Sequence, residues 1–142
     1  MATKNVFRNA YVSVNGVDLS TSVRSVTVTS TTPEVDVTAM GDAFQSFLPG
    51  IPDATVEVEF FNSYDAGKVD ATNWPLVGSS TTFAVGVRPV NAARSTTNPE
   101  YQLAAALLLG DYNPVVGNVG EAAMTTVTYR NAGTTGLTRL TA

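Results

Sequence analysis

The sequence predicts a mainly β fold: one β-sandwich or barrel of about seven or eight strands, with a single short helix and a long inter-strand loop. Three observations carry this. Thr and Val dominate the apolar–polar alternation, and both favour a pleated, half-buried surface. Several short alternating runs are separated by Gly, Pro and Asn turn signals, the spacing of sandwiches and barrels. Charged residues make up only 14% of the 142-residue chain, well under the usual quarter or so, so Thr, Ser, Asn and Gly must cover the surface instead. A chain of this length is large enough for one domain with its own core, here spanning residues 1–142.

The elements follow in order. Ala10–Val14 reads as a strand, and Asn15-Gly16 behind it is a strong hairpin signal because both positions tolerate positive φ. Val17–Leu19 is the short return, and Ser20–Ser22 a turn. Val23–Thr29 is a strand with Val26 and Val28 on one face and Ser25, Thr27 and Thr29 on the other. Thr55–Phe61 alternates most cleanly: Val56, Val58 and Phe60 against Thr55, Glu57 and Glu59. Lys68–Val77 shows helical spacing in Val69, Trp74 and Val77, with Pro75 limiting the helix to a turn or two; a lone Trp at such a helix end reads as a core anchor. Thr82–Arg88 places Phe83, Val85 and Val87 inward. Ala92–Pro99 is polar and reads as a mobile connection. Glu100–Leu109 has an Ala-Leu run of strong helix propensity, but its β surroundings favour a strand. Asn113–Gly120 is a loop, and Ala123–Arg130 and Leu137–Thr141 are the last two strands. No internal repeat is present.

Between the second and third long strands lies an unusual stretch. Thr31 to Asp53 contains Pro33, Gly41, Pro49, Gly50 and Pro52, yet carries Val35, Val37, Met40, Phe44, Phe47, Leu48 and Ile51. Connections are usually about 2–6 residues long, and disordered ones are poor in aromatic and aliphatic side chains. This one needs a surface to lie against, either its own body, as a lid, or another copy. Edge strands are normally guarded by lysine, and Lys occurs only at positions 4 and 68, so strand edges are free to meet a neighbour.

Several function classes are disfavoured. The formal charge is −4, against the basic footprint that nucleic-acid binding requires. No apolar run is long enough for a membrane helix, and MATKNVFRNA has no apolar signal core. His and Cys are absent, which removes Ser-His-Asp and Cys-His catalysis and the usual zinc sites. Gly117-Asn-Val-Gly120 lacks the frame of a phosphate loop. No cofactor, metal or small-molecule ligand is expected. Glu57 and Glu59 share a strand face about 6.6 Å apart by strand rise, a separation that a glycosidase pair could use, with Trp74 as a sugar platform. The plainer reading of the two carboxylates is a solvated strand face. Asp36, Asp42 and Asp53 match no compact calcium loop and read as turn or capping residues.

The ordered features resemble the major tail (tail tube) proteins of long-tailed bacteriophages. The VNGVDLS hairpin at Val14–Ser20, VDVTAMGD at Val35–Asp42, the GIPDATVEVEF strand at Gly50–Phe60 and FAVGVRP at Phe83–Pro89 occur in the family's order. VGEAA at Val119–Ala123, as a strand start, and TGLTR at Thr135–Arg139 complete the set. The resemblance implies a structural virion protein whose copies form stacked rings, commonly hexameric, around a channel through which genomic DNA passes without specific binding. It implies a sheet lining that channel, a long loop reaching neighbouring subunits, other tail or neck proteins as partners, assembly in the host cytoplasm and no enzymatic activity. Val35, Val37, Met40, Phe44, Phe47, Leu48 and Ile51 then become interface residues, and Glu57 and Glu59 lumen candidates. Capsid decoration, neck and tail-completion proteins share related sandwiches and are the alternative station.

Overall fold

The computed structural model describes residue 6 and residues 8–141; Lys4 and most of the MATKNVF stretch lie outside the described residues. The chain forms one continuous antiparallel sheet plus a separate two-stranded hairpin. β1 (Tyr11–Val14) and β2 (Val17–Asp18) are joined by a turn with φ of 51° at Asn15 and 80° at Gly16, the left-handed pair that a tight hairpin requires. β3 (Val23–Thr31) pairs along its length with β6 (Asp53–Phe61), and β4 (Glu34–Asp36) and β5 (Phe47–Pro49) form the hairpin between them. β7 (Phe83–Arg88), β8 (Glu100–Leu108), β9 (Met124–Asn131) and β10 (Leu137–Leu140) complete the sheet.

β8 organises the middle of the molecule. One edge pairs with β7, while the other pairs with β10 over Glu100–Leu103 and with β9 over Ala106–Leu108. β9 and β10 therefore lie end to end beside a single strand. The pairing with β7 shifts register once, leaving an extra residue in β8 and turning both Leu103 and Ala106 into the core. The Ala-Leu run is thus a strand, as its surroundings dictated over its propensity. The sheet runs β2-β1-β7-β8-β9-β6-β3 and curls so that strands far apart in that order share one core. Val12, Val14, Val56, Val58, Val85, Leu103 and Val127 are all fully buried.

A short helix, α1 (Val69–Asn73), continues into a 3-10 turn over Trp74–Leu76. The expected inward face of Val69, Trp74 and Val77 is corrected here. Val69, Thr72, Asn73 and Leu76 are buried, whereas Trp74 is 60% exposed. These four positions stand at i, i+3, i+4 and i+7, the true helical stripe; a polar Asn within it disguised the pattern. Asn73 donates through Nδ2 to the Val69 carbonyl at 3.0 Å and accepts from the Tyr129 hydroxyl. Tyr129 is fully buried and meets Phe83 edge-on at 5.8 Å; burial pushes its phenol well above the usual range and keeps it a donor.

Two further expectations change. Residues 92–99 are an ordered turn: Asn98, 8% exposed, bonds the backbone of Val90, Ala92 and Ala93. Val119–Ala123 does not start a strand; β9 begins at Met124, and the positive φ at Gly120 keeps that segment in a turn.

Candidate assembly surface

The hairpin formed by β4 and β5 stands away from the body. Residues 29–49 are exposed throughout, and the stretch expected as a loop is an ordered β arm extending the β3–β6 ladder. The ladder ends at Thr31 opposite Asp53, and the Gly50 amide then bonds the Pro33 carbonyl at 2.7 Å. A Cβ on Gly50 would lie 2.9 Å from the Pro33 ring, so the arm's root needs glycine for the two strands to approach.

Polar side chains fix the arm's shape. Asp36 accepts from the Thr38 amide at 2.9 Å, Thr38 Oγ1 accepts from the Ser46 amide at 2.8 Å, and Asp42 accepts from the Ala39 amide at 2.8 Å. The Thr38 hydroxyl and amide hold the Asp36 carboxyl below its ordinary pKa. Asp36 and Asp42 are thus capping residues, and Asp53 instead pairs with Arg130 at 2.7 Å.

The apolar side chains are left outside. Met40 and Phe44 at the tip are fully and 84% exposed, and Val35, Val37, Phe47, Leu48 and Ile51 are exposed along the shaft. Val35 is opposite Leu48 and Asp36 opposite Phe47. Val35, Val37 and Leu48 therefore share one face, while Phe47 and Ile51 share the other. An isolated two-stranded hairpin is marginal in water, and this one bears grease on both faces. All seven expected interface residues are thus gathered on one projecting element, and the lid alternative is excluded for the arm as described.

Beside the arm's root lies the outer face of β3, β6 and β9. Glu57 sits between Thr27 and Thr128, and Glu59 between Ser25 and Thr126. Glu59 pairs with Arg24 at 3.1 Å. With Asp53 held by Arg130, Glu57 is the carboxylate of this face without an ion pair among the described residues. Three carboxylates against two guanidiniums leave the face nearly neutral, rather than strongly acidic. Glu57 and Glu59 do share this face. The cleft beside it, lined by Leu109, Asp111, Thr126, Thr128 and Arg130, stops one strand short of Glu57. Nothing there encloses a sugar between two carboxylates.

Sequence reasoning missed a second exposed apolar stretch. Val115 and Val119 in the β8–β9 connection are 82% and 106% exposed. The loop is anchored by Tyr64 Oη and Asn62 Nδ2, each donating to the Pro114 carbonyl at 2.6 Å. The signal was available, since NPVVGNVG combines loop residues with valines as the arm does.

No protein-family model matches the chain, and no curated protein does either. Solved structures do. A chain from the tail of an empty gene transfer agent particle, of C6 symmetry, superposes with a TM-score of 0.70 at 15% identity, over 99% of this chain and 100% of that one. A chain from the virion of the native gene transfer agent particle gives 0.70 at 13% identity, over 92% and 95%. A chain from the sheath/tube terminator of the PVC extracellular contractile injection system gives 0.68 at 12% identity, over 97% of each. The whole chain therefore has a fold found in phage-like tails and injection systems.

Proposed function

We propose that this protein is a structural subunit of a phage-like tail, assembling with copies of itself into stacked, six-membered rings that form a tail tube. The observation that carries the reading is the ordered arm, which exposes apolar side chains on both faces. Full-length likeness to chains from a C6-symmetric tail and from a sheath/tube terminator supports it. In this reading the arm clasps neighbouring subunits, and the threonine-rich face of β3, β6 and β9 lines the channel. Its near-neutral charge, with Glu57 projecting, suits DNA passage: it offers phosphates no basic footprint to adhere to. The role is structural and non-enzymatic, the partners are other copies and other tail proteins, and the location is the virion, after assembly in the host cytoplasm.

A second reading, a tail-completion or terminator ring, draws on the likeness to the sheath/tube terminator and to a chain of the tube-terminating cap of the anti-feeding prophage. Electron microscopy of the purified protein across a concentration series separates the two. Tubes of stacked six-fold rings support the first reading, single rings that never stack support the second, and monomers at every concentration overturn both.

A further inference from the structure

If arms clasp neighbours, a receiving site must exist on the body, and the structure offers a specific one. β3, the end strand of the curled sheet, pairs only with β6, and a seam without ladder hydrogen bonds separates its core-facing side chains from those of β7. Along that seam Val26, Val28, Val87, Pro89 and Tyr101 line an apolar cleft of about 160 Å³. An engineered apolar cavity of roughly 150 Å³ accommodates one benzene ring, so the cleft has room for a single phenyl side chain. The arm carries such a group at its tip in Phe44, 84% exposed.

Charge agrees with this match. Glu34, Asp36 and Asp42 make the arm acidic, and no Lys or Arg occurs between Arg24 and Lys68. Beside the cleft, Arg139 lies directly opposite Tyr101, which lies opposite Val87. Directly opposed residues project to the same side, so the Arg139 side chain rises beside the cleft. It is exposed and has no ion-pair partner among the described residues.

We propose that the β3–β7 seam is the socket for the arm of a second copy: Phe44 of one subunit seats among Val26, Val28, Val87, Pro89 and Tyr101 of another, and Asp42 pairs with Arg139. This rests on the self-assembly reading and specifies its contact. Intermolecular cross-linking tests it cleanly because the chain has no cysteine. The full-length double variant Phe44→Cys/Val28→Cys is assembled, oxidised and run without reductant, beside Phe44→Cys/Thr128→Cys, which moves the body thiol to the outer face. A ladder of covalent multimers from the first pair, and at least tenfold less from the second, is the expected result. Equal ladders, or assembly without a ladder, overturn the socket while leaving self-assembly standing. Wild-type protein that never assembles removes both. Charge reversal gives an independent arm: Arg139→Glu is expected to raise the assembly concentration at least tenfold. Assembly unaffected by Arg139→Glu contradicts the pairing.

Discussion

Phe47→Asp offers a sharp separation of assembly from folding. Phe47 lies on the arm and is 49% exposed, so about half of its surface remains for a partner to cover. Fully burying a Phe side chain stabilises by about 1.5–3 kcal/mol, which leaves about 1 kcal/mol for the interface. Burying a carboxylate without a partner at the same point adds a penalty of about 1–3 kcal/mol or more. Together the substitution weakens each contact by about 2–4 kcal/mol. At 1.4 kcal/mol per decade, the concentration needed for assembly rises roughly 30- to 1000-fold. Folding stability should move little, within about 0.5 kcal/mol, because the change is at the surface. Sedimentation velocity across a dilution series reads the first quantity and thermal melting by circular dichroism the second. Tubes at the wild-type concentration would refute the role of the arm. A collapse of the melting temperature would show that Phe47 serves its own body.

Other substitutions probe the fold and the outer face. Gly86→Ala drives a Cβ into Glu100 Oε1 and places it 3.3 Å from Ser13 Oγ; it should displace the Glu100 carboxylate, which lies 2.8 Å from Arg88, and cost about 1–3 kcal/mol in chemical denaturation. Arg88 also stacks over Tyr11 at 4.0 Å, so a wild-type denaturation curve would mean that this cluster yields freely. Tyr129→Phe removes the donor that satisfies Asn73 Oδ1 in the core and should cost about 1–3 kcal/mol, whereas an unchanged melting temperature would mean that Asn73 finds another partner. Glu57→Lys should leave the melting temperature within about a degree or two of wild type, yet give tubes that retain DNA in a salt-sensitive filter assay; tubes that release DNA as before would remove this face from the channel. The Thr38 hydroxyl and amide hold the folded Asp36 carboxyl below the ordinary aspartate value. Its stabilisation of the arm turn is therefore present above that value and lost as pH falls through the lower folded one. Amide exchange at Thr38 should accelerate in that acid window; protection that persists below it would mean the cap is incidental.

Most of the fold was legible because hydrophobic alternation and turn chemistry are local. Asn15-Gly16 fixes its own hairpin, and Val56, Val58 and Phe60 declare their face whatever surrounds them. The misses came where a distant partner decides. Asn73 is buried because Tyr129, far along the chain, donates to it, and that displaced the helix face enough to expose Trp74. Asn98 orders the 92–99 turn by bonding three carbonyls that no pattern announces. The arm's apolar content was plain in the sequence, but its hairpin geometry depends on the side chains of Asp36, Thr38 and Asp42 accepting from the backbone amides of Thr38, Ser46 and Ala39. Glu57 and Glu59 were placed on one face correctly, while Arg24, which pairs with Glu59, and Arg130, which pairs with Asp53, arrive from other strands and were invisible in the linear order.

The most direct test of the account is a cryo-electron reconstruction of whatever the concentrated protein forms. The account predicts a hollow tube of six-fold rings in which Val35, Phe44, Phe47 and Leu48 of every arm are covered by adjoining subunits, with β3, β6 and β9 facing the bore. Particles whose arms remain bare in solvent, or tubes held together by other surfaces, would contradict it.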